Sequence, residues 1–312
     1  MKTLLLIDGN SLFHRAYHAI PSLTAKDGEV ANAVFGFSNM LIKAINEVAP
    51  AYVACAFDTK APTFRHIEFE KYKAQRASPP PDLYPQLPKV KRVLDAFGIK
   101  YFEKEGYEAD DLIATIASNF QTSNSKSQIV ILSSDRDVLQ LVDGNIKVQA
   151  PGWNLKETSL YGAREVKEKY GLEPHQMVDY KSLTGDPSDN VPGVAGIGPK
   201  TAATLLREFH TLENLFKNIN KVPESIRAKL EAGKEIALAA KRLVELDRNI
   251  DLGLKIEDLR FKPDWDKVRR EYEELGFKSI AAKIPGAKVS QVSDVSKVSD
   301  GDSDKSNQLE LI

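Results

Sequence analysis

Three short apolar runs in this chain each stop at an aspartate: TLLLID at 3–8, AYVACAFD at 51–58 and IVILSSD at 129–135. A weaker run, IKVQA, covers 146–150. Continuous runs of this length, rich in Val, Ile and Leu, suit strands buried on both faces. Between them lie segments with apolar residues at helical spacing, notably 31–48, 86–97 and 107–120. Strands that alternate with helices imply an α/β fold, a mostly parallel central sheet flanked by helices. Parallel strands all end on the same edge. Asp8, Asp58, Asp135 and Asp137 (the last two in SSDRD) therefore emerge on one rim, where open α/β folds bind ligands.

From about residue 160 the pattern changes to helical segments divided by Gly/Pro turns, among them AREVKEKYG, PKTAATLLREF and ESIRAKLEAGKEIALAAKRLVEL. This reading divides the chain into an α/β core over 1–160, a helical region over 161–285 and a tail over 286–312. SPPPDLYPQLP at 78–88 is excluded from regular helix and central strand, because proline removes amide donors. The tail repeat VSQVSDVSKVSD at 289–300 has period three and no apolar face, so it is expected to be disordered. No apolar stretch approaches the roughly 18–20 residues needed to cross a bilayer. The first apolar run stops at Asp8, too short for a signal peptide. The single cysteine, Cys55, lies within an apolar run and has no partner for an internal disulfide, which fits a reducing cytoplasm and no membrane partner. The formal net charge of −1 hides local structure: residues 60–76 carry five Lys/Arg against Glu68 and Glu70, the kind of patch a phosphate backbone would feel.

GYEADDLIATIA at 106–117 packs Glu108, Asp110 and Asp111 into four positions ahead of an apolar helical run. Glu108 and Asp111 share a helix face at i, i+3, and Asp110 reaches around the first turn. Asp186 and Asp189 sit in the turn TGDPSDN. Singly, such acids read as helix caps or Asx turns. Caps, however, have no reason to gather on one sheet edge. Close carboxylates cannot all stay ionised without a cation or raised pKa values. Mg²⁺, which takes a few carboxylates together with waters and substrate phosphate, supplies that cation. Two ions about 3.5–4 Å apart would serve an in-line phosphoryl displacement.

The order Asp8, Asp58, GYEADD, SSDRD and TGDPSDNVPGVAGIGPKTA resembles the 5′ nuclease family: the N-terminal 5′→3′ exonuclease domain of bacterial DNA polymerase I and its flap-endonuclease relatives. The resemblance covers roughly residues 1–285, with every carboxylate position of the family filled. It implies a PIN-like nuclease core, a helical arch near 62–97 and a C-terminal helix-three-turn-helix region. It also implies a first metal at Asp8, Asp58, Glu108 and Asp110. A second would lie at Asp111, Asp135, Asp137, Asp186 and Asp189, with Asp110 as a bridge. The ions implied are two or more Mg²⁺, with Mn²⁺ able to substitute.

FRHIEFEKYKAQR resembles the base of the family's arch, where Tyr72, Lys73 and Arg76 match its YK..R pattern and Arg65 precedes them as a DNA contact. Lys73 and Arg76, at i, i+3, would face the scissile phosphate and neutralise its developing charge. Tyr72 would offer a face for a terminal base. The proline-rich stretch would be the arch's far limb. His14, Arg15 and Tyr17 could line a substrate channel or serve the core or surface.

In GVAGIGPKTAATLL (193–206), glycines let main chain approach a ligand closely, Pro199 suits a first helical position, and Lys200 adds charge to a phosphate-binding helix start. The stretch resembles the family's helix-three-turn-helix, which grips duplex backbone without reading sequence. That implies DNA contacts at Gly196, Gly198, Lys200 and Thr201, and a potassium ion on the main-chain carbonyls of Val194 and Ile197. QLELI at 308–312 resembles the Gln-Leu-x-Leu-Phe peptides that bind bacterial sliding clamps, with Ile in place of Phe. Gln308, Leu309, Leu311 and Ile312 would be the anchors; an inert terminus or the stub of a polymerase linker is the other reading.

The expected function is a Mg²⁺-dependent 5′→3′ exonuclease and 5′ flap endonuclease acting on DNA and RNA primers in replication and repair. A PIN-like single-strand ribonuclease would need only the first acids and would leave GVAGIGPKTA unexplained. A non-catalytic duplex-binding module would show gaps among the acids. No polymerase motif region is present in the 312 residues, which leaves a free-standing nuclease or the N-terminal part of a larger polymerase.

Overall fold

A computed structural model describes residues 2–123, 127–152, 155 and 157–285. In chain order its first part holds β1 (Thr3–Asp8), α1 (Gly9–Ala19), α2 (Asn32–Val48), β2 (Tyr52–Ala56), α3 (Phe64–Glu68), α4 (Leu87–Phe97), β3 (Lys100–Phe102), α5 (Ala109–Ser123), β4 (Gln128–Leu132), β5 (Ile146–Pro151) and β6 (Thr158–Tyr161). The strands form one sheet in the order β3-β2-β1-β4-β5-β6. All neighbours are parallel except β5 and β6. The four apolar runs read from the sequence are β1, β2, β4 and β5. The other two strands had no such signal. β3 is three residues long, and Thr158, Ser159 and Leu160 of the antiparallel edge strand β6 are exposed.

β1 lies at the centre because every side chain from Leu4 to Ile7 is apolar and buried. The pleat sends Leu5 and Ile7 to one face, against α1, α2 and α4, and Leu4 and Leu6 to the other, against α5. From β1 the chain builds β2 and β3 on one side, then crosses through α5 to place β4 on the other. The gap between β1 and β4 is thus the topological switch point, where a crevice opens beyond the strand ends. Asp8 stands there, capping α1 by accepting the Ser11 amide at 2.9 Å.

The second part contains α6 (Ala163–Tyr170), α7 (Met177–Thr184), α8 (Pro199–Phe209), α9 (Leu212–Lys217), α10 (Glu224–Ala232), α11 (Lys234–Val244), α12 (Trp265–Glu274) and α13 (Lys278–Ala281). Helices α7 to α11 enclose their own core around Leu183, Leu206, Leu215 and Leu230. The expected division at 160/161 needs correction at its far end. Val268 and Tyr272 of α12 and Ile280 of α13 pack into the α/β core beside Phe97, so these last helices belong to the sheet's outer layer. Near 62–97 the chain is α3, turns over 70–75 and α4, so the expected arch is not a continuous helix. Tyr17 of α1 donates to Asp82 at 2.7 Å, and His14 lies 3.2 Å from the Tyr84 hydroxyl, so α1 anchors the proline-rich limb. No helix among the described residues is long and apolar enough to cross a membrane. The tail over 286–312, including Gln308, Leu309, Leu311 and Ile312, lies outside the described residues.

Candidate active site

Asp8 ends β1, Asp58 follows β2, Asp135 follows β4 and Asp110 sits in the first turn of α5. Polar neighbours fix the first three. Ser133 donates to Asp8 at 2.6 Å, Asn10 Nδ2 donates to Asp58 at 2.8 Å, and Asp58 also accepts the Ala109 amide at 2.7 Å. The same Ser133 hydroxyl oxygen accepts the Asp135 amide at 2.9 Å. Asp8 is buried and Asp110 half-buried, while Asp58 and Asp135 keep accessible surface in a cleft that holds back bulk water. That withdrawal of water, reinforced by Asp135 and Asp58, pushes Asp8 up to about 7 against its bonds from Ser133 and Ser11. Desolvation, then Asp8 and Asp135, holds Asp110 well above the usual carboxylate range. Asp58 is raised by desolvation and by Glu108, and Asp135 by desolvation and by Asp189 and Asp186. Asp135 thus lies between two groups of acids.

The second group is neutralised by cations. Asp137, Asp186 and Asp189 can each bring one oxygen within 4.8 Å of the others. Lys181 of α7 pairs with Asp137 and, at 2.6 Å, with Asp186. Desolvation works against the Asp186 carboxylate, yet Lys181 and the Ser188 hydrogen bonds hold it below its usual value. Arg76 meets Asp189 at 2.5 Å. Lys73 meets Glu108 at 2.6 Å and lies 3.7 Å from Asp189. Burial opposes the Lys73 charge, but those two acids raise its pKa. The Tyr72 hydroxyl stands 3.0 Å from both Glu108 and Asp189, so one proton is shared between two acceptors. Desolvation and these two carboxylates make that proton harder to remove.

Four expectations are overturned by packing. Asp111 is fully buried and both its oxygens are saturated: Oδ1 accepts from Arg65 Nη2 at 2.8 Å and the Asp247 amide at 2.9 Å, Oδ2 from Arg65 Nη1 at 2.6 Å and the Glu108 amide at 3.1 Å. It is the structural counter-ion of Arg65 and has no lone pair facing the cleft. Arg65 is 1% exposed and donates further to the carbonyls of Leu243 and Glu245, so it cannot touch DNA. Tyr72 is 3% exposed, packed with Val191 and Leu243, which leaves no open face for a base. Lys73 has φ +54, outside a helix, so the i, i+3 argument fails; Lys73 and Arg76 converge because both reach Asp189.

The glycine-rich stretch also departs in detail. Gly193 lies against the backbone of Thr184 and Gly185, so its close approach serves the acid-bearing turn and not a ligand. Gly196, Gly198 and Lys200 are exposed before and at the start of α8, with Thr201 half-buried. The side chains of Val194 and Ile197 point into the helical core, and the Val194 carbonyl accepts the Ile197 amide at 3.0 Å. Arg15 lines a cavity of about 390 Å³ beside Asp135, together with Ser134, Arg136 and Tyr161.

Comparison with known proteins divides the chain between residues 171 and 172. Residues 3–171 match the 5′-3′ exonuclease N-terminal resolvase-like domain, and residues 172–267 match the 5′-3′ exonuclease C-terminal SAM fold. The chain belongs to the 5′–3′ exonuclease family. It is an enzyme of the nuclease class. DNA polymerase I of Caldicellulosiruptor bescii is 43% identical over 314 residues, covering 99% of this chain and 36% of that protein. Thermostable DNA polymerase I of Thermus thermophilus is 41% identical over 279 residues, covering 89% of this chain and 32% of that protein. The chain therefore spans about a third of the length of these relatives. Among solved structures, a bacteriophage T5 flap endonuclease in complex with DNA and metal ions superposes with a TM-score of 0.65 at 19% identity, covering 90% of this chain and 100% of that one. The catalytic core of Rad2 in complex with DNA substrate gives 0.57 at 19% identity, covering 90% and 92%. At such identities the likeness concerns the fold.

The residues of this family member fit a divalent metal. The donors of both groups are carboxylate oxygens, the ligands hard cations prefer. The paired cations are bound to Glu108, Asp137, Asp186 and Asp189, whereas Asp8 and Asp110 have no ion-pair partner among the described residues and are raised by desolvation and by the neighbouring Asp135 and Asp58. A carboxylate that holds a proton for want of a counter-charge releases it to a metal. Three residues that shape the site escaped sequence reading: Asn10, Ser133 and Lys181. Lys181 lies five positions before Asp186 in YKSLTGD, a spacing without helical meaning across a glycine turn. Its role came from the fold.

Proposed function

We propose that this chain is a Mg²⁺-dependent 5′→3′ exonuclease and structure-specific 5′ flap endonuclease, hydrolysing DNA and RNA-primer phosphodiesters in replication and repair. One observation carries the reading. A group of Asp8, Asp58, Asp110 and Asp135, without ion-pair partners among the described residues, adjoins a second group of acids paired with Lys73 and Arg76, and the charge of both cations also reaches Asp58. Asp8, Asp58, Glu108 and Asp110 would hold one Mg²⁺ or Mn²⁺ and Asp135, Asp137, Asp186 and Asp189 a second, with Asp110 as a bridge. Bound there, such ions polarise water and stabilise a leaving oxygen.

The chain's own groups complete the site. Lys73 and Arg76 exchange their carboxylate partners for the scissile phosphate and neutralise the charge that grows on it. Tyr72 holds Glu108 and Asp189 at a fixed separation through its shared proton. The start of α8, with Gly196, Gly198, Lys200 and Thr201, takes a duplex phosphate on exposed amides. The carbonyls of Val194 and Ile197 would hold potassium beside it. The substrate is DNA with a 5′ flap or a 5′ end at a duplex junction, and the compartment is the cytoplasm. Docking of Gln308, Leu309, Leu311 and Ile312 on a sliding clamp rests on sequence alone.

The test is cleavage of a labelled 5′-flap duplex with Mg²⁺ and with EDTA. Cleavage should require the metal, and Asp135→Asn should abolish it while leaving DNA binding largely intact. Equal cleavage of unstructured single-stranded RNA, with no preference for a junction, would overturn the reading.

A further inference from the structure

Lys181 is the one cation in the described site that reaches two of the clustered acids from the helical part of the chain. Its ammonium pairs with Asp137 and meets Asp186 Oδ2 at 2.6 Å. The other Asp186 oxygen is occupied by the Ser188 amide at 2.9 Å and the Ser188 hydroxyl at 2.6 Å, so Oδ2 is the oxygen left for any incoming cation. Asp137, Asp186 and Asp189 place one oxygen each within 4.8 Å of one another. An ion gripping these oxygens and an ammonium gripping two of the same residues would compete for one position, as like charges at contact range in a cleft.

We infer that Lys181 is a tethered counter-ion of the second acidic pocket, which keeps that pocket charge-balanced without a metal and must be displaced before a divalent cation binds there. The inference rests on the metal-dependent reading above and adds a residue that sets the affinity of one pocket and not the other. Lysine suits the task. Its flexible four-carbon stem lets the charge swing away without moving α7, and a phosphate entering the cleft offers it a new partner. The α7 helix is held independently, with Leu183 in the helical core and the Asp179 carboxylate accepting the Leu212 amide at 2.9 Å, so removing the ammonium leaves its support in place.

The experiment titrates the DNA-free protein with Mn²⁺ and follows free Mn²⁺ by electron paramagnetic resonance, comparing wild type with Lys181→Met and Lys181→Arg. Wild type should bind one tighter and one weaker ion. In Lys181→Met the weaker class should tighten about tenfold or more, the scale on which one contact charge acts in a partly shielded site. The tighter class should not move, and Lys181→Arg should bind as wild type does. If Lys181→Met gives no folded protein by circular dichroism, Lys181→Gln serves as the neutral variant. Unchanged or weakened Mn²⁺ binding in the neutral variant overturns the inference, as does equal tightening in Lys181→Arg. Flap cleavage by wild type alongside either result confines the failure to Lys181. Absence of both cleavage and Mn²⁺ binding in wild type would remove the nuclease reading itself.

Discussion

Replacing Asp111 with asparagine separates its two readings, metal ligand and structural counter-ion. The carboxylate is 0% exposed and accepts four hydrogen bonds, two on each oxygen, from Arg65, Asp247 and Glu108. Asparagine keeps one acceptor oxygen and turns an amide NH₂ toward two donors on the other side. It also leaves the buried Arg65 guanidinium without its counter-charge. Breaking a buried pair from one side costs about 3–5 kcal/mol. For a chain of this size that lowers the melting temperature by about 5–8 °C. The assay is thermal unfolding followed by circular dichroism in EDTA, so that no metal contributes. Arg65→Met should cost a similar amount, and Arg65→Met with Asp111→Leu should recover much of the loss, since a packed apolar pair leaves no orphaned charge. An Asp111→Asn protein that melts within about 2 °C of wild type but loses divalent-metal binding would refute the argument and restore Asp111 to the ligands.

Two further outcomes follow from the same geometry. Asp8 titrates near 7 in the folded chain against 3.8 when unfolded, so its contribution is intact below about pH 4 and is lost as pH rises through about 7; in scanning calorimetry Mg²⁺ should therefore raise the melting temperature more at pH 8 than at pH 5, and Asp8→Asn should flatten that difference, with equal shifts at both pH values counting against it. At Gly193 an added Cβ would lie 2.3 Å from the Gly185 nitrogen and 2.3 Å from the Thr184 carbonyl carbon, whereas one at Gly198 meets nothing within 4 Å. Gly193→Ala should thus cost about 1–3 kcal/mol and weaken Mn²⁺ binding by shifting Asp186 and Asp189, while Gly198→Ala leaves melting and Mn²⁺ binding unchanged; equal effects at the two glycines would show that the close approach is unimportant.

The central strands could be read from the chain because a strand buried on both faces must be apolar throughout, as Leu4 to Ile7 are. The acids of the rim followed from them, since parallel strands share an end: Asp8, Asp58 and Asp135 needed no distance measurement. β6 stayed hidden because an antiparallel edge strand with exposed side chains carries no such pattern. Tyr72, Lys73 and Arg76, singled out by the YK..R resemblance, do contact the acids, but the helical spacing expected of Lys73 and Arg76 is not what brings those two there, since the backbone at Lys73 is left-handed.

By itself, then, the order of residues determined where the charges leave the sheet, because apolar periodicity and strand direction are properties of short segments. Which of those charges face the cleft was decided only by tertiary structure. Glu108 and Asp111 lie three positions apart at the start of α5, yet one turns to Lys73 while the other is sealed beneath Arg65 and the amide of Asp247, 136 positions away along the chain. A carboxylate's role depends on the cation or amide that reaches it, and those partners arrive from elements that local spacing cannot see.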